Sequence, residues 1–563
     1  MASGDIEQPR GPQSDEKTPL MRFSDVVVRS TSSGEDNHKG GDDISLLMSP
    51  LRWAESLQES YSWKLLTVVV CTKHLLKGFV SGGGDDGLVG KPIEFIFAAL
   101  HLPASELQML KAAALSPWAL KPVVALLSDA LPIFGYRKLP YIAITSMGAC
   151  VAALSLGLDL TSSVPKIVFC LWLIFLNVSV ADLLVEAKQS EEIKQKARIG
   201  PQFITFTWIG ITIGQIIGVI VLGPLIQYWG PNLPYLVALP FIALVLWPTL
   251  ANFLGEKPLP VEDRGLNFRM IRLHPVLCII ALVVGAMVSS ITVGTFLLPR
   301  TQLFAIGIVC ASILVCTFFF FIRFEIAGPL VFYFVHGLLS FGFEGAMFYF
   351  YTDTPEQFPG GPHFSKWFYT TGIGLSTFTG HLMGFISGEK LFANWNYRSI
   401  LRLTIPMQAV MQLSYLPLIW RSTGPIPDAV WVVAVAFLDA VCAGWVRLPK
   451  QVMVAHMTPH SLEATGVGLS AGSFNLAMIL GSYFGSGLLR FFAVEPRGAI
   501  NETAALAGLW KVVVIAALSQ CLMFLLIPVL LPSKSQQDPI ISERPDSATH
   551  NSPFERYTGI RVH

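Results

Sequence analysis

The sequence predicts an all-α integral membrane protein of two six-helix halves in parallel repeat, with a two-helix hairpin inserted between them. Three observations carry that expectation. Of 563 residues, 52% are hydrophobic and 14% charged; soluble chains carry roughly a quarter charged residues, so much of this surface faces lipid. Apolar stretches near the ~20 residues that cross a hydrocarbon core recur along most of the chain. Short strings also recur about 262 residues apart: Phe175-Leu176-Asn177, Ala181 and Lys188-Gln189 match Phe437-Leu438-Asp439, Ala443 and Lys450-Gln451. At nearly the same offset Gly135-Tyr136-Arg137 matches Asn396-Tyr397-Arg398. Together they pair the fourth segment with the fourth of the last six, the mark of duplicated halves.

Residues 1–60 are rich in Ser, Gly, Asp, Glu and Lys and have no apolar period, the composition of a disordered cytosolic tail. Within it the strings EKTPLM (16–21) and DDISLL (42–47) resemble acidic dileucine sorting signals, and nothing resembles the apolar core of a signal peptide. The N-terminal half, 61–254, holds spans expected near 63–84, 105–128, 140–158, 165–187, 201–224 and 234–254. A cytosolic connector, 255–274, carries Lys257, Arg264, Arg269 and Arg272. The hairpin, 275–325, places spans at 275–298 and 302–322 around Pro299-Arg300, and has no counterpart in the repeat. The C-terminal half, 326–531, holds spans near 329–352, 366–388, 399–420, 428–450, 463–487 and 507–531; a polar tail, 532–563, is expected to be disordered. Each span must be helical, because only helices and closed barrels satisfy the backbone in lipid. Twelve helices instead of fourteen would require one pair of spans to be mis-split.

Cations set the orientation. With the N-terminus in the cytosol, the inner loops hold Arg137 and Lys138, Lys188 to Arg198, the connector, Lys390 and Arg398, and Arg447 and Lys450; outer loops hold single cations such as Lys91, Arg300 and Arg421. The sequon at Asn501 then falls in the last outer loop and marks a glycosylation site, whereas Asn177 lies inside a span. Net charge of +1 gives no reason to expect nucleic acid. All eight cysteines fall in apolar segments without zinc-site spacing, so neither disulfide, metal nor cofactor is expected. No hydrolase, nucleotide-binding or zinc-protease motif is present, which argues against an enzyme.

The most informative stretch is PWALKPVVALLSDALPIFGYRKLPY, 117–141. An apolar run ends at Ser128-Asp129, turns through Pro132 and Gly135, shows Arg137-Lys138 and re-enters apolar sequence. This layout resembles the loop between helices 2 and 3 of the major facilitator superfamily. With Asp182 to Gln189 and the string FGFEGAMFYFYTD (341–353), it resembles the folate–biopterin transporter family over about residues 60–530. Leu126-Leu127 replace the leading glycine that the superfamily loop usually has. The resemblance implies a monomeric secondary transporter of folate, biopterin or related pteridines, working by alternating access and coupled to protons. The alternatives are the same fold carrying S-adenosylmethionine or an organic anion, or a receptor or scaffold that no longer transports. The expected location is the plasma membrane, with a vacuolar, lysosomal or other endomembrane as the alternative.

Ionisable residues within the spans are the candidate site, because each costs roughly 2.5–3.5 kcal/mol to insert unless it meets a partner or a wet cavity. Lys73 and Lys77, at i and i+4 beside His74, share one face; they either face anions or carboxylates, or Lys73 pairs with a structural acid while Lys77 snorkels. Lys121 precedes Pro122, which loosens its helix. Asp182 lies a turn inside Glu186 and Lys188; Glu344 and Asp439 are the deepest acids, and His336 shares the segment of Glu344. A pterin presents an amino group and ring N–H side by side, which a carboxylate of Asp182, Glu344 or Asp439 can accept together. Trp118, Phe348 or Tyr349 can stack on it, and Lys73, Lys77 or Lys121 can receive a folate's glutamate tail. Glu344 and Asp439 are the expected proton-coupling groups, with Asp129, Arg137 and Arg398 as gating residues.

Overall fold

In the computed structural model of the chain, residues 50–160, 163–196, 199–273, 275–457, 463–536, 538 and 552–558 are described. The dileucine-like strings and Arg198 lie outside them. Among the described residues the chain is almost wholly helical, and helices occupy each of the fourteen expected span positions in order.

The first helix comes earlier than expected. α1, Pro50–Ser60, occupies the end of the stretch read as a disordered tail. Trp53, Leu57 and Tyr61 fall on one face at helical spacing and are buried, with Tyr61 stacked on Phe203 at 4.3 Å. The helix is held because that face has an aromatic partner, which composition alone does not reveal.

In the N-terminal half, α2 runs from Trp63 to Val69 and continues as a π-helix over Val70–Val80. After a Gly-rich loop come α3 (Pro92–Ala99) and α4 (Ala104–Ala114). A 3₁₀ turn at Ser116–Leu120 leads from α4 into α5 (Lys121–Ala130), where Pro122 sits in the first turn and so costs no hydrogen bond. α6 (Leu139–Gly157), α7 (Val164–Gln195), α8 (Gly200–Trp229), and α9 with α10 (Leu233–Leu244, Leu246–Leu250) complete it. The hairpin is α11 (Pro275–Leu297) and α12 (Arg300–Phe321).

The C-terminal half opens with α13 (Phe324–Leu339) and α14 (Glu344–Thr352), one span broken at Ser340. A π-turn at Phe368–Gly372 enters α15 (Ile373–Phe392). Then follow α16 and α17 (Tyr397–Leu413, Leu416–Ile419), α18 (Asp428–Met457), α19 (Glu463–Phe491), and α20 and α21 (Leu509–Cys521, Met523–Leu530). Among the described residues, ten helices are long and apolar enough to cross a membrane by length and composition alone. The remaining spans, at 63–80, 368–392, 397–419 and 463–491, pack among those ten.

Glycine sets two of the closest approaches. A side chain at Gly78 or Gly214 would strike backbone where α2 crosses α8, and one at Gly380 or Gly384 would strike α18 where α15 crosses it. The tail read as disordered is also partly ordered. Tyr397 N–H donates to the Lys534 carbonyl at 3.1 Å, and Phe554 of α22 (Pro553–Thr558) packs on Phe320 and Phe321 at the hairpin's end.

Candidate functional site

The N-terminal half is organised around one carboxylate. Asp182, on α7, is fully buried and meets three lysines. Lys73 Nζ lies 2.5 Å from Oδ1 and also donates to the Asp182 carbonyl at 2.9 Å. Lys77 Nζ reaches Oδ1 and Oδ2 at 2.9 and 3.0 Å, and Lys121 Nζ reaches Oδ2 at 2.8 Å. The wider turns of the π-helix bring Lys73 and Lys77 almost one above the other, so both aim at one group; π-helical stretches persist mostly where a site needs them. Trp118 backs the cluster, its ring 5.1 Å from Lys121 Nζ and 5.9 Å from Lys77 Nζ. Glu186, half exposed a turn away, stands 3.9 Å from Lys73.

In this conformation Lys73, Lys77 and Lys121 all pair with Asp182, and Lys77 does not snorkel.

The acids of the C-terminal half differ. Glu344 begins α14 immediately after the break and is exposed; Asp439, on α18, is partly buried. Among the described residues neither has a cation within ion-pair distance. Both lie within electrostatic reach of Tyr415, whose ring stands edge-on to Phe343 at 6.0 Å.

One end of the bundle is sealed by bonds between the halves. Gln108 of α4 spans the break in the α13–α14 helix: its Nε2 donates to the carbonyls of Gly342 (2.9 Å) and Ser482 (2.8 Å), and its Oε1 accepts from Gly345 N–H (3.2 Å). Tyr349 Oη donates to the Leu102 carbonyl at 2.5 Å, Ala104 N–H to Pro496, and Ser105 Oγ to Glu495. Beside these sits a charge cage: Lys111 bridges Asp85 and Glu94 at 2.7 Å each, and Tyr369 Oη, from the other half, donates to Glu94 at 2.8 Å. Burial pushes the Glu94 carboxyl up, but Lys111 and Lys91 outweigh it and hold the group below its ordinary range. Phe95 packs edge-on against Phe348 at 5.1 Å and Tyr369 at 6.0 Å. Phe348 and Tyr349 are therefore buried in the seal, and neither is free to stack on a solute in this conformation.

Among the described residues, all other side-chain bonds between the halves also lie at this end, except one at mid-depth, where Asn475 Nδ2 donates to the Trp118 carbonyl at 3.0 Å. Asp129 and Arg137 line one cleft at the opposite end with Lys138, Glu191, Glu256 and Lys257. There Glu256 accepts the backbone N–H groups of Arg137, Lys138 and Leu139 and so fixes the start of α6. Arg398 does not reach across the halves; its Nε donates to the Leu531 carbonyl within its own half at 2.8 Å. Arg447 and Lys450, assigned above to an inner loop, lie within α18. Asn501 is exposed, at the sealed end.

Sequence reasoning missed Gln108, Glu94, Tyr369 and Glu256. Only Glu94 carried a signal, as an acid inside an apolar run.

The BT1 family model matches residues 85–549. Probable folate-biopterin transporter 2 of Arabidopsis thaliana is 20% identical over 465 residues, 82% of each chain. The folate-biopterin transporter of Synechocystis is 25% identical over 244 residues, 40% of this chain and 46% of that one. Probable folate-biopterin transporter 4 of Arabidopsis thaliana is 26% identical over 172 residues, and that match spans about a third of the relative's length (34%). Among solved structures, a peptide transporter POT in complex with sulfate has a TM-score of 0.59 at 14% identity, covering 83% of this chain and 95% of that one. The inward-open xylose transporter XylE from E. coli has a TM-score of 0.50 at 14% identity, covering 84% and 98%. At such identity the likeness is one of fold, and that fold is the one expected, of the major facilitator superfamily.

Proposed function

The chain belongs to the BT1 family and is a multi-pass membrane transporter rather than an enzyme, and from that premise we propose that its solute is a folate, a biopterin or a related pteridine, moved by alternating access together with protons. The observation that carries this reading is the pair of carboxylates, Glu344 and Asp439, which among the described residues have no cation at ion-pair distance and lie near Tyr415 and Phe343. A flat ring with adjacent N–H donors fits a carboxylate next to an aromatic edge, and the names of the relatives in Arabidopsis and Synechocystis are consistent with it.

The same two acids supply the coupling. Glu344 sits directly after the helix break that Gln108 holds, and within electrostatic reach of Lys111, Asp85 and Glu94 of the seal. Its charge therefore acts on the groups that must part when the sealed end opens, which links proton occupancy to the direction the cavity faces. Both termini are cytosolic on this reading, the sealed end faces away from the cytosol, and Asn501 carries the glycan. The membrane is the plasma membrane.

The test is uptake of labelled folate, biopterin and S-adenosylmethionine into cells lacking their own carriers, at acidic and neutral external pH. Folate or biopterin uptake that acid stimulates, with the stimulation lost in Glu344→Gln or Asp439→Asn, is the expected result. Uptake of S-adenosylmethionine alone overturns the solute assignment; acid stimulation retained in both variants overturns the coupling assignment.

A further inference from the structure

The N-terminal half commits three lysines to the single carboxylate of Asp182, whereas one helix of the C-terminal half holds two cations with no carboxylate partner among the described residues. Arg447 and Lys450 lie about one turn apart on α18 and share a face. Among the described residues, no carboxylate stands within ion-pair distance of either. Lys450 Nζ points into the bundle, 4.4 Å from the ring centre of Phe474 on α19 and 5.9 Å from that of Tyr333 on α13.

Other polar groups gather nearby. His336 and Gln408 face one another, and one turn farther along the helix Gln412 Oε1 is a buried atom without a hydrogen-bond partner. His336 lies within electrostatic reach of Lys450, and His381 within reach of Arg447. Phe474, Gln408 and His381 each stand about three turns, roughly 16 Å, in from the end of their helix opposite the seal. Four helices thus present polar groups in one layer. Asn475, next to Phe474, donates to the Trp118 carbonyl, so the layer abuts the lysine cluster of the other half.

Two neighbouring cations without a counter-ion inside an apolar bundle are costly, and a carboxylate would remove that cost. The Arg447 fork can grip both oxygens of a carboxylate, Lys450 can add a point charge, and Phe474 and Tyr333 offer an aromatic wall. We propose that Arg447 and Lys450 form the anion-receiving subsite of the transport cavity, taking the carboxylate end of an aromatic acid. If the solute reading above holds, that end is the glutamate tail of a folate.

The test uses the purified full chain and 4-aminobenzoyl-glutamate, an aromatic dicarboxylate with no pterin ring. The wild type binds the probe; Arg447→Gln and Lys450→Gln weaken it at least tenfold, and the charge-keeping Lys450→Arg recovers part of the loss. In cells, the KM for folate rises at least tenfold more than that for biopterin, which has no carboxylate. Thermal midpoints taken first separate loss of fold from loss of binding, and the charge-keeping variants stand in where a glutamine variant fails to fold. No binding of the probe by the wild type, unchanged affinity in both glutamine variants, or equal loss of folate and biopterin overturns the subsite. Wild-type protein that binds the probe through Arg447 but transports neither folate nor biopterin leaves the subsite standing and removes the solute reading instead.

Discussion

Replacing Asp182 with Asn tests whether the lysine cluster is a structural knot or a solute site. The substitution keeps the shape, removes one negative charge and turns one of two acceptor oxygens into a donor, in a group with no exposure. Two of the four short contacts, either the 2.5 and 2.9 Å pair at one oxygen or the 2.8 and 3.0 Å pair at the other, then set a lysine donor against an amide donor; each lost acceptor costs about 1–3 kcal/mol. Three lysines then face one another without a counter-ion, and stripping one partner from a buried ionic group costs about 3–5 kcal/mol. For a half of roughly 200 residues that corresponds to a fall on the order of 10 °C in unfolding midpoint. The assay is thermal unfolding of the purified protein in detergent, with Lys121→Met and the double variant closing a cycle. The double variant should recover part of the loss, because removing one cation relieves the repulsion. A midpoint for Asp182→Asn within about 2 °C of wild type would refute the reasoning and return Asp182 to the solute.

The seal should weaken without loss of fold when Gln108 becomes Leu or Tyr369 becomes Phe: Gln108→Leu orphans Gly345 N–H and two carbonyls, each worth about 1–3 kcal/mol. A cysteine placed at Phe95 should then label faster from the sealed side, and unchanged labelling counts against the seal. Asp353, just beyond α14, has its carboxyl pushed up to about 7 by burial and by Glu502. Stability from this group is therefore full below its unfolded value near 4 and falls as pH rises through about 7. Asp353→Asn should flatten the thermal midpoint between about pH 5 and pH 8, and an unaltered slope removes the assignment. Asp129→Asn and Arg137→Ala should reduce uptake with little loss of protein at the membrane; normal uptake in both means that the cleft they line is not a gate.

The spans were legible because lipid imposes a length and a composition on each one independently of the others. The hairpin was legible for the same reason, as two apolar runs without partners in the repeat. Lys73, Lys77 and Lys121 announced themselves as cations where cations are costly. Their shared partner did not, because Asp182 is one acid among several and only the π-helix and the crossing at Gly78 aim the lysines at it. The seal was hidden more deeply. Gln108, Ser105 and Tyr369 bond to groups hundreds of residues away, Gln108 to backbone and the other two to carboxylates, and a choice of distant partner leaves no pattern in a residue's own neighbourhood. Phe348 and Tyr349 were ambiguous for a related reason: aromatic residues that close a seal have the same composition as aromatic residues that hold a ring.

The hairpin also changes what the bilayer can touch. α11 packs on α4 and α5 of one half, and α12 on α13 and α19 of the other. One seam between the halves is therefore fenced off from acyl chains, while the opposite seam, where α8 meets the π-turn and α15, has no such cover among the described residues. The molecule presents two unlike flanks to the membrane. An amphiphile slipping sideways between cavity and lipid has one flank to use, and annular lipids at that flank alone can press on the joint that must open.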